Sequence, residues 1–263
     1  MFHVKHFRSH ITLYAILAIM FHVKHYCFPF RPSVSRETFF FAEGVLVDDA
    51  RIERYLDLIL EANKRINLTR IDSRESALIL HVEDSLSALP ELNEAPDGLY
   101  GDLGTGGGFP GAILSIASGR QTLLVDSVKK KIAVLDSVIA EIGLSEQIHT
   151  YDGRIEDLAR EKPNAFSALT ARALSQLPSL LELASPILKE HGVLICYKSH
   201  VSDDEMNRAL SMEKLVGMKL KSRRSFYLSD GVTFREIIVF EKIGSPIVKL
   251  PRRVGLAQKK PLR

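Results

Sequence analysis

The sequence contains no tryptophan, only two cysteines and no apolar run long enough to span a bilayer. Cys27 and Cys196 cannot make a disulfide framework, so the class of small secreted proteins held together by disulfides is excluded. Cys196 lies in the apolar run 193–197, which predicts a buried thiol in a reducing compartment. We therefore expect a cytoplasmic protein without a membrane segment.

The chain also lacks a large excess of either charge. It has 35 lysines and arginines against 32 acidic residues, for a formal net charge of +3, and 46% of its residues are hydrophobic. These values are ordinary for an α/β protein with one main domain. The stretch 242–263 is different, because it holds seven cations and no acid. This basic tail favours a polyanionic partner, although a solvated charged terminus accounts for it equally well.

The N-terminal residues contain an internal repeat, in which Met1–His6 recurs as Met20–His25. Reverse translation of this peptide gives a DNA palindrome, and the same palindrome in a shifted frame encodes Val34–Thr38. We hypothesise that these codons serve a DNA-binding protein and that the histidines of the repeat bind no metal. The apolar segment Ile11–Met20 lacks a small-residue cleavage site, which disfavours a signal peptide. Residues 1–42 are expected to form a poorly ordered extension, and either repeat's methionine fits as the start.

The spacing of apolar residues predicts the architecture of the rest. Residues 44–63 and 76–89 have helical spacing, with Pro90 ending the second helix, and together they predict a helical cap over residues 43–95. Apolar runs alternating with helical stretches then predict a doubly wound, mostly parallel sheet over residues 96–245. The predicted strands are Leu99–Leu103, Thr122–Val125, Ile148–Tyr151, Phe166–Thr170 and Val193–Tyr197, followed by a hairpin of Lys221–Leu228 and Phe234–Phe240 and by the basic tail, residues 246–263.

A glycine-rich loop follows the first predicted strand of the sheet. Gly104, Gly106 and Gly108 lie between that strand and a helix predicted over 112–117. Glycine lets a backbone adopt left-handed conformations and lets a ligand approach its amides, and the helix N-terminus adds partial positive charge. The pattern predicts a nucleotide-binding turn, although surface turns are rich in glycine as well.

The residues around this loop narrow the choice of ligand. Asp126 stands twenty residues after Gly106, where nucleotide-binding folds place an acid for ribose hydroxyls. The loop formally fits the dinucleotide pattern G-x-G-x-x-G, but Pro110 offers no amide and Asp102 would repel pyrophosphate. An acid at this place suits a ligand with a cationic amino group and no phosphate. It favours S-adenosyl-L-methionine (SAM) over a dinucleotide or a purely structural turn.

Six motifs occur in order along the chain: Asn63–Thr69, His81–Leu86, Asp102–Gly111, Asp126–Ser127 with Lys130–Lys131, Ala171–Ala173, and Pro251–Arg253 with Lys259–Leu262. As a set, they resemble the bacterial 16S rRNA (guanine-N7) methyltransferase family, ribosomal RNA small subunit methyltransferase G, also called glucose-inhibited division protein B. The resemblance covers about residues 45–263. It implies a Rossmann-like SAM-dependent methyltransferase fold, with a C-terminal antiparallel hairpin and an N-terminal helical cap.

The resemblance also implies a cofactor site. Gly104 and Phe109 would line SAM, Asp126 would hold its ribose hydroxyls, and the main chain of two residues after the third strand would contact adenine. Arg172 would be a cofactor-site arginine and the one candidate for positioning the reactants. With no metal ligand, the predicted set is Asp102, Gly104, Gly106, Gly108, Phe109, Asp126, Ile155, Glu156 and Arg172. His81 and Asp84 share a helix face and could cap the loop, while Ser199 replaces the glycine that the family usually has after Lys198.

The resemblance implies methylation of a guanine N7, and the residues present agree with this chemistry. Guanine N7 carries a lone pair and no proton, so positioning and exclusion of water suffice without a general base. The Asp/Asn-Pro-Pro-aromatic turn typical of amine methylation is absent after the fourth strand, which reads Thr170–Leu174, and Cys196 lacks activating neighbours.

The expected partner is 16S rRNA, within the 30S subunit or an assembly intermediate, with no obligate protein partner. The candidate phosphate contacts are Lys64, Arg65, Arg252, Arg253, Lys259 and Lys260. Two alternatives stay open: a SAM-independent protein that binds ribosomal RNA, and a methyltransferase acting on a substrate other than RNA.

Overall fold

The computed structural model describes residues 39–40, 46–47, 49–71 and 73–262. The palindrome hypothesis, the N-terminal histidines and the apolar segment 11–20 concern residues outside this range. Two short strands, Phe39–Phe40 (β1) and Leu46–Val47 (β2), pair with each other in antiparallel fashion. The described residues belong to one compact unit. The division into extension, cap, core and tail stays a prediction.

The first helix, Ala50–Asn63 (α1), starts later than its apolar spacing predicts. Asp49 is the N-cap, and its side chain accepts a hydrogen bond from the backbone N–H of Arg51 at 2.9 Å. Because Leu46–Val47 is a strand, the predicted helix start at residue 44 was wrong. An N-cap aspartate satisfies a backbone N–H that has no partner within the helix, which fixes where the helix begins.

Short helical segments complete the cap. Arg74–Ala77 (α2), a π-helical segment Leu78–Glu83, Asp84–Leu86 (α3) and Leu89–Glu94 (α4) follow one another. The prediction that Pro90 ends a helix was wrong. Pro90 lies in the first turn of α4, where its missing N–H costs no hydrogen bond. The buried faces of these segments pack into one apolar cluster with α1 and the sheet.

Seven strands form the main sheet: Leu99–Leu103 (β3), Thr122–Asp126 (β4), Ile148–Asp152 (β5), Phe166–Arg172 (β6), Leu188–Lys198 (β7), Met218–Tyr227 (β8) and Phe234–Lys242 (β9). Their order is β5-β4-β3-β6-β7-β9-β8. The first five strands are parallel, and β9 runs antiparallel to both of its neighbours. All seven predicted strands are present, and β7 begins earlier than predicted.

Helices cover the sheet: Gly111–Ser118 (α5), Lys129–Glu141 (α6), Ile155–Glu161 (α7), Leu177–Ala184 (α8), Asp203–Ser211 (α9), Glu213–Val216 (α10) and Leu256–Lys259 (α11). The predicted fold class is confirmed, since a doubly wound, mostly parallel sheet carries a hairpin and a helical cap. None of the helices in the described ranges is long and apolar enough to cross a membrane. Leu103 pairs with Val125 and Ala171, so the loops after β3, β4 and β6 meet at one edge of the sheet.

Candidate functional site

The loop between β3 and α5 has the left-handed backbone that its glycines predict. Gly104, Gly106 and Gly108 have φ of 72°, 58° and 85°. At Gly108 there is a second requirement, because a Cβ would lie 1.7 Å from the Tyr55 hydroxyl. That hydroxyl donates a hydrogen bond to the Gly107 carbonyl at 2.9 Å. The cap helix α1 therefore fixes the loop from outside, and a side chain at Gly108 would remove this contact.

Asp102 fixes the same loop from beneath. One carboxylate oxygen accepts hydrogen bonds from the Thr105 hydroxyl at 2.6 Å and from the backbone N–H of Gly111 at 3.0 Å. The other accepts one from the Thr170 hydroxyl at 2.7 Å. Burial raises the pKa of Asp102, while these hydrogen bonds oppose the increase.

The sequence predicts that Asp102 faces a cationic group of the ligand, and the geometry gives it a different task. Its side chain has no exposed surface, and both oxygens are occupied by the loop and by β6. Asp102 therefore shapes the loop and contributes its charge from below. It does not present an oxygen at the surface of the site.

A cavity of about 170 Å³ lies beside the loop, at the ends of β3, β4 and β5. Four of the predicted cofactor residues line it: Gly104, Asp126, Ile155 and Glu156. The Asp126 carboxylate accepts hydrogen bonds from the backbone N–H groups of Gly106 at 3.0 Å and Val128 at 2.9 Å. The structure thus brings a carboxylate, a glycine backbone and the start of α7 together around one space.

Phe109 lies outside this cavity, in the contact between loop and cap. Its ring stacks on the His81 ring, with centroids 4.3 Å apart and planes 3° from parallel. Tyr55 meets the same ring edge-on at 5.6 Å. The expectation that His81 caps the loop agrees with this stacking. Phe109 is buried, so its contribution in this structure is to hold the loop against the cap.

His81 is held neutral by its surroundings. Burial, and then the charge of Arg172, lower its pKa from 6.5 to about 3. Its ring nitrogens lie 2.9 Å from the Thr69 hydroxyl and 3.5 Å from an Arg172 nitrogen. Because the His81 ring is neutral and both of its nitrogens have polar neighbours, its role in this structure is to pack against Phe109.

We expect the His81 ring signals in NMR spectra to stay constant between pH 8 and pH 5. In the unfolded chain this histidine takes up a proton near pH 6.5, but in the folded chain only near pH 3. Unfolding therefore binds a proton in this window, and the free energy of unfolding falls as pH decreases from 6.5 towards 3. His81→Phe, which keeps a stacked ring, should reduce that decline. A His81 signal that titrates with a midpoint near 6 in the folded protein would contradict the assignment.

A larger cleft of about 720 Å³ adjoins the cavity, and Ala173 and Leu174 line both spaces. Arg172, placed by the sequence in the cofactor site, lines this cleft together with Arg235. The two guanidinium groups bind opposite oxygens of Asp84, Arg172 at 2.9 Å and Arg235 at 3.0 Å. The Asp84 side chain is 1% exposed. One buried carboxylate therefore orients two cations at the edge of the cleft.

Two cations of this cleft were not among the predicted site residues. Arg235 stands at the start of β9, and Lys198 at the end of β7 binds Glu205 at 2.8 Å and the Ser175 carbonyl at 2.9 Å. Ser199, where the family usually has glycine, also lines the cleft. The sequence shows each of these cations only as a charged residue at one end of a largely apolar strand. That both line the same cleft depends on the order of the strands in the sheet, which the sequence pattern does not reveal.

The predicted RNA-contacting residues lie in two places. Lys64 and Arg65 are exposed after α1, and Lys64 lines a polar cleft together with Arg70 and Lys131. In the C-terminal segment, Arg253, Lys259 and Lys260 are exposed. Arg252 is different, because its guanidinium binds both oxygens of the buried Glu182 at 2.5 Å.

The strand order, the glycine loop after β3 and the acid at the end of β4 define the Rossmann-like methyltransferase class. A protein-family comparison gives a narrower assignment. The model of the family described as rRNA small subunit methyltransferase G matches residues 48–229. The chain belongs to this family, as its sequence motifs indicate.

Curated relatives of this chain include three proteins named ribosomal RNA small subunit methyltransferase G. That of Carboxydothermus hydrogenoformans is 32% identical, over 86% of this chain and 98% of the relative. The Desulfitobacterium hafniense protein is 35% identical, over 79% of this chain and 87% of the relative. The Moorella thermoacetica protein is also 35% identical, over 81% of this chain and 90% of the relative.

Proposed function

We propose that this protein transfers the methyl group of SAM to N7 of a guanine in 16S rRNA, in the cytoplasm, with the 30S subunit or an assembly intermediate as substrate. The observation that carries the proposal is the adjacency of two spaces. The small cavity is lined by the Asp126 carboxylate and the Gly104 backbone. It lies beside the larger cleft, which is lined by Arg172 and Arg235, the two arginines that Asp84 holds in place. The first suits a nucleoside cofactor, and the second suits an anionic substrate.

The donor set of the cavity fits SAM. Asp126 can accept hydrogen bonds from both ribose hydroxyls, the main chain of Ile155 and Glu156 would border the base, and Gly104 leaves backbone next to the cofactor. Gly106 is not part of the cavity wall, but its backbone N–H donates a hydrogen bond to Asp126. When bound, SAM supplies an electrophilic methyl group on a sulfonium. The Asp102 carboxyl group, which lies beneath the loop, favours the cationic end of such a ligand.

The cleft can position a guanine, but its side chains include no free general base among Asp84 and His81. Asp84 is engaged by two arginines, and His81 is buried and stacked. Guanine N7 needs no base, because its lone pair is free to attack in line. Arg172 and Arg235 provide cations for a phosphate or for the guanine carbonyl oxygen, so the catalytic contribution is alignment and charge.

The exposed cations of the C-terminal segment are proposed to contact RNA phosphates. Arg252 is left out of this set, because removing it would leave the Glu182 carboxylate buried without its partner. Lys64 and Arg65, beside Arg70 and Lys131, form the second proposed contact region. Both regions carry side chains that solvent, and therefore RNA, can reach.

We expect the triple variant Arg253→Ala, Lys259→Ala, Lys260→Ala to flatten the salt dependence of RNA binding. Each phosphate contact adds about 0.7 to the slope of log K against log salt for single-stranded RNA, so the slope should fall by about 2. Binding titrations at several salt concentrations measure it. Lys219→Ala, on edge strand β8, serves as the control and should leave the slope unchanged. An unchanged slope in the triple variant would remove these three residues from the interface.

Incubation with radiolabelled SAM and 30S subunits from a strain that lacks this gene tests the proposed function. The rRNA is then digested, and the labelled nucleoside is identified by mass spectrometry. We expect 7-methylguanosine from 16S rRNA. A different labelled nucleoside would overturn the N7 assignment, and SAM binding without any labelled RNA would move the proposal to another methyl acceptor.

A further inference from the structure

Residues 250–262, here called the C-terminal strap, are anchored against the helices that border the cofactor cavity. Arg252 binds Glu182 of α8 through two hydrogen bonds of 2.5 Å, and the Glu182 side chain is 2% exposed. The same guanidinium donates to the Lys260 carbonyl at 2.8 Å, which holds the strap to itself. An arginine that binds both oxygens of a buried carboxylate strongly anchors the strap to α8.

Two further hydrogen bonds place the middle of the strap. The backbone N–H of Gly255 donates to a Glu156 carboxylate oxygen at 2.6 Å, and the Ser179 hydroxyl donates to the Ala257 carbonyl at 2.9 Å. Glu156 is also part of the cavity wall. The strap is therefore joined to a residue that borders the proposed adenine position.

Gln258 follows Ala257 and lines the cavity together with residues at the ends of β4 and β5. Its side chain is exposed, and its amide has no hydrogen-bond partner within residues 49–71 and 73–262. Of the two carboxylates nearby, Glu156 accepts a hydrogen bond from the backbone N–H of Gly255. Asp126, which accepts from the backbone N–H groups of Gly106 and Val128, is already assigned to the ribose. This leaves the amide of Gln258 as a polar group available to a ligand in the cavity.

The chemistry of an amide matches the edge of an adenine. Adenine presents an amino donor beside a ring-nitrogen acceptor, and an amide presents an acceptor beside a donor. The other exposed polar side chains of the cavity match it less well. Ser127 adjoins the Asp126 carboxylate that is proposed to bind ribose, and Arg154 offers donors alone.

We propose that Gln258 hydrogen-bonds the edge of the SAM adenine, and that the C-terminal strap forms the outer wall of the adenine pocket. This inference rests on the proposed function, because it needs the cavity to hold SAM. It assigns cofactor recognition to a residue of the basic tail, for which the sequence predicts RNA contacts alone.

Calorimetric titration of the full chain with S-adenosyl-L-homocysteine tests the inference without turnover. Gln258→Ala should raise the Kd about 5- to 10-fold, the loss expected for one or two hydrogen bonds. Val254→Ala, at an exposed residue of the same strap that belongs to neither proposed binding region, is the control and should leave the Kd unchanged. The titrations are repeated with an analogue whose purine lacks the 6-amino group. The wild type and Gln258→Ala should bind this analogue alike, within about 2-fold.

The outcomes are distinguishable. Gln258→Ala that binds S-adenosyl-L-homocysteine as tightly as the wild type overturns the assignment of Gln258. Equal weakening for both ligands also overturns it, since that result indicates a loosened strap and no contact with the base edge. A wild-type protein that binds neither SAM nor its product overturns the proposed function, and this inference with it.

Discussion

Asp102→Ala should lower SAM affinity about 100-fold or more and destabilise the protein by about 3 kcal/mol. The carboxylate accepts three hydrogen bonds, one from Thr105 in the glycine loop, one from Gly111 at the start of α5 and one from Thr170 in β6. Alanine leaves the buried N–H of Gly111 without its partner and frees the loop from the strand beneath it. Calorimetric titration gives the affinity, and urea unfolding gives the stability.

Asp102→Asn separates the hydrogen bonds from the charge. The amide oxygen can still accept from Thr105 and Gly111, while the amino group takes the place beside Thr170. We therefore expect Asp102→Asn to be nearly as stable as the wild type. Its SAM affinity should be only partly restored, because the negative charge is missing. If Asp102→Ala bound SAM as tightly as the wild type, the loop would not depend on this residue.

Arg172→Ala should reduce the kcat/KM of methyl transfer about 100-fold or more, with a smaller effect on the Kd of SAM. Arg172 lines the larger cleft and binds Asp84 and the Leu80 carbonyl. Removing one partner of a buried, hydrogen-bonded ion pair costs about 2–5 kcal/mol, and here it also removes a cation that lines the larger cleft. Steady-state kinetics with 30S subunits, beside calorimetric titration of SAM, separate the two effects.

Two controls accompany this prediction. Arg172→Lys keeps the charge but loses the planar fork, so an intermediate activity is expected. Arg235→Ala leaves the contact between Arg172 and Asp84 in place and should cost less than Arg172→Ala. A SAM affinity that falls as far as kcat/KM would return Arg172 to the cofactor site, where the family resemblance places it.

Local signals in the sequence were sufficient for the strands but not for every helix boundary. The first five strands of the sheet contain short apolar runs between turn residues, and the last two flank the turn 229–231, so their confirmation follows from local patterns. The apolar residues before α1 continue its spacing, so the pattern alone does not reveal that Asp49 starts the helix. Pro90 is ambiguous for a similar reason, because proline is tolerated in the first turn of a helix and ends one elsewhere.

The candidate site divides in the same way. Gly104 and Asp126 follow a spacing that belongs to one βαβ unit, and the structure puts both in one cavity. Arg235 and Gln258 reach the site from distant parts of the chain, through strand order and the docking of the strap. Asp102 was predicted as a cofactor residue, but its hydrogen bond with Thr170 joins two strands that are far apart in the sequence. Contacts of long sequence separation are the part that spacing does not encode.

The anchoring of Arg252 to Glu182 has a genetic consequence. A frameshift or nonsense mutation between codons 243 and 252 would leave every strand of the sheet intact and remove Arg252. Such an allele would still produce a polypeptide that antibodies detect, yet the Glu182 carboxylate would lose its cation and the cavity would lose the Gln258 side chain that lines it. We therefore expect these truncations to behave as null alleles for methylation, and not as neutral polymorphisms.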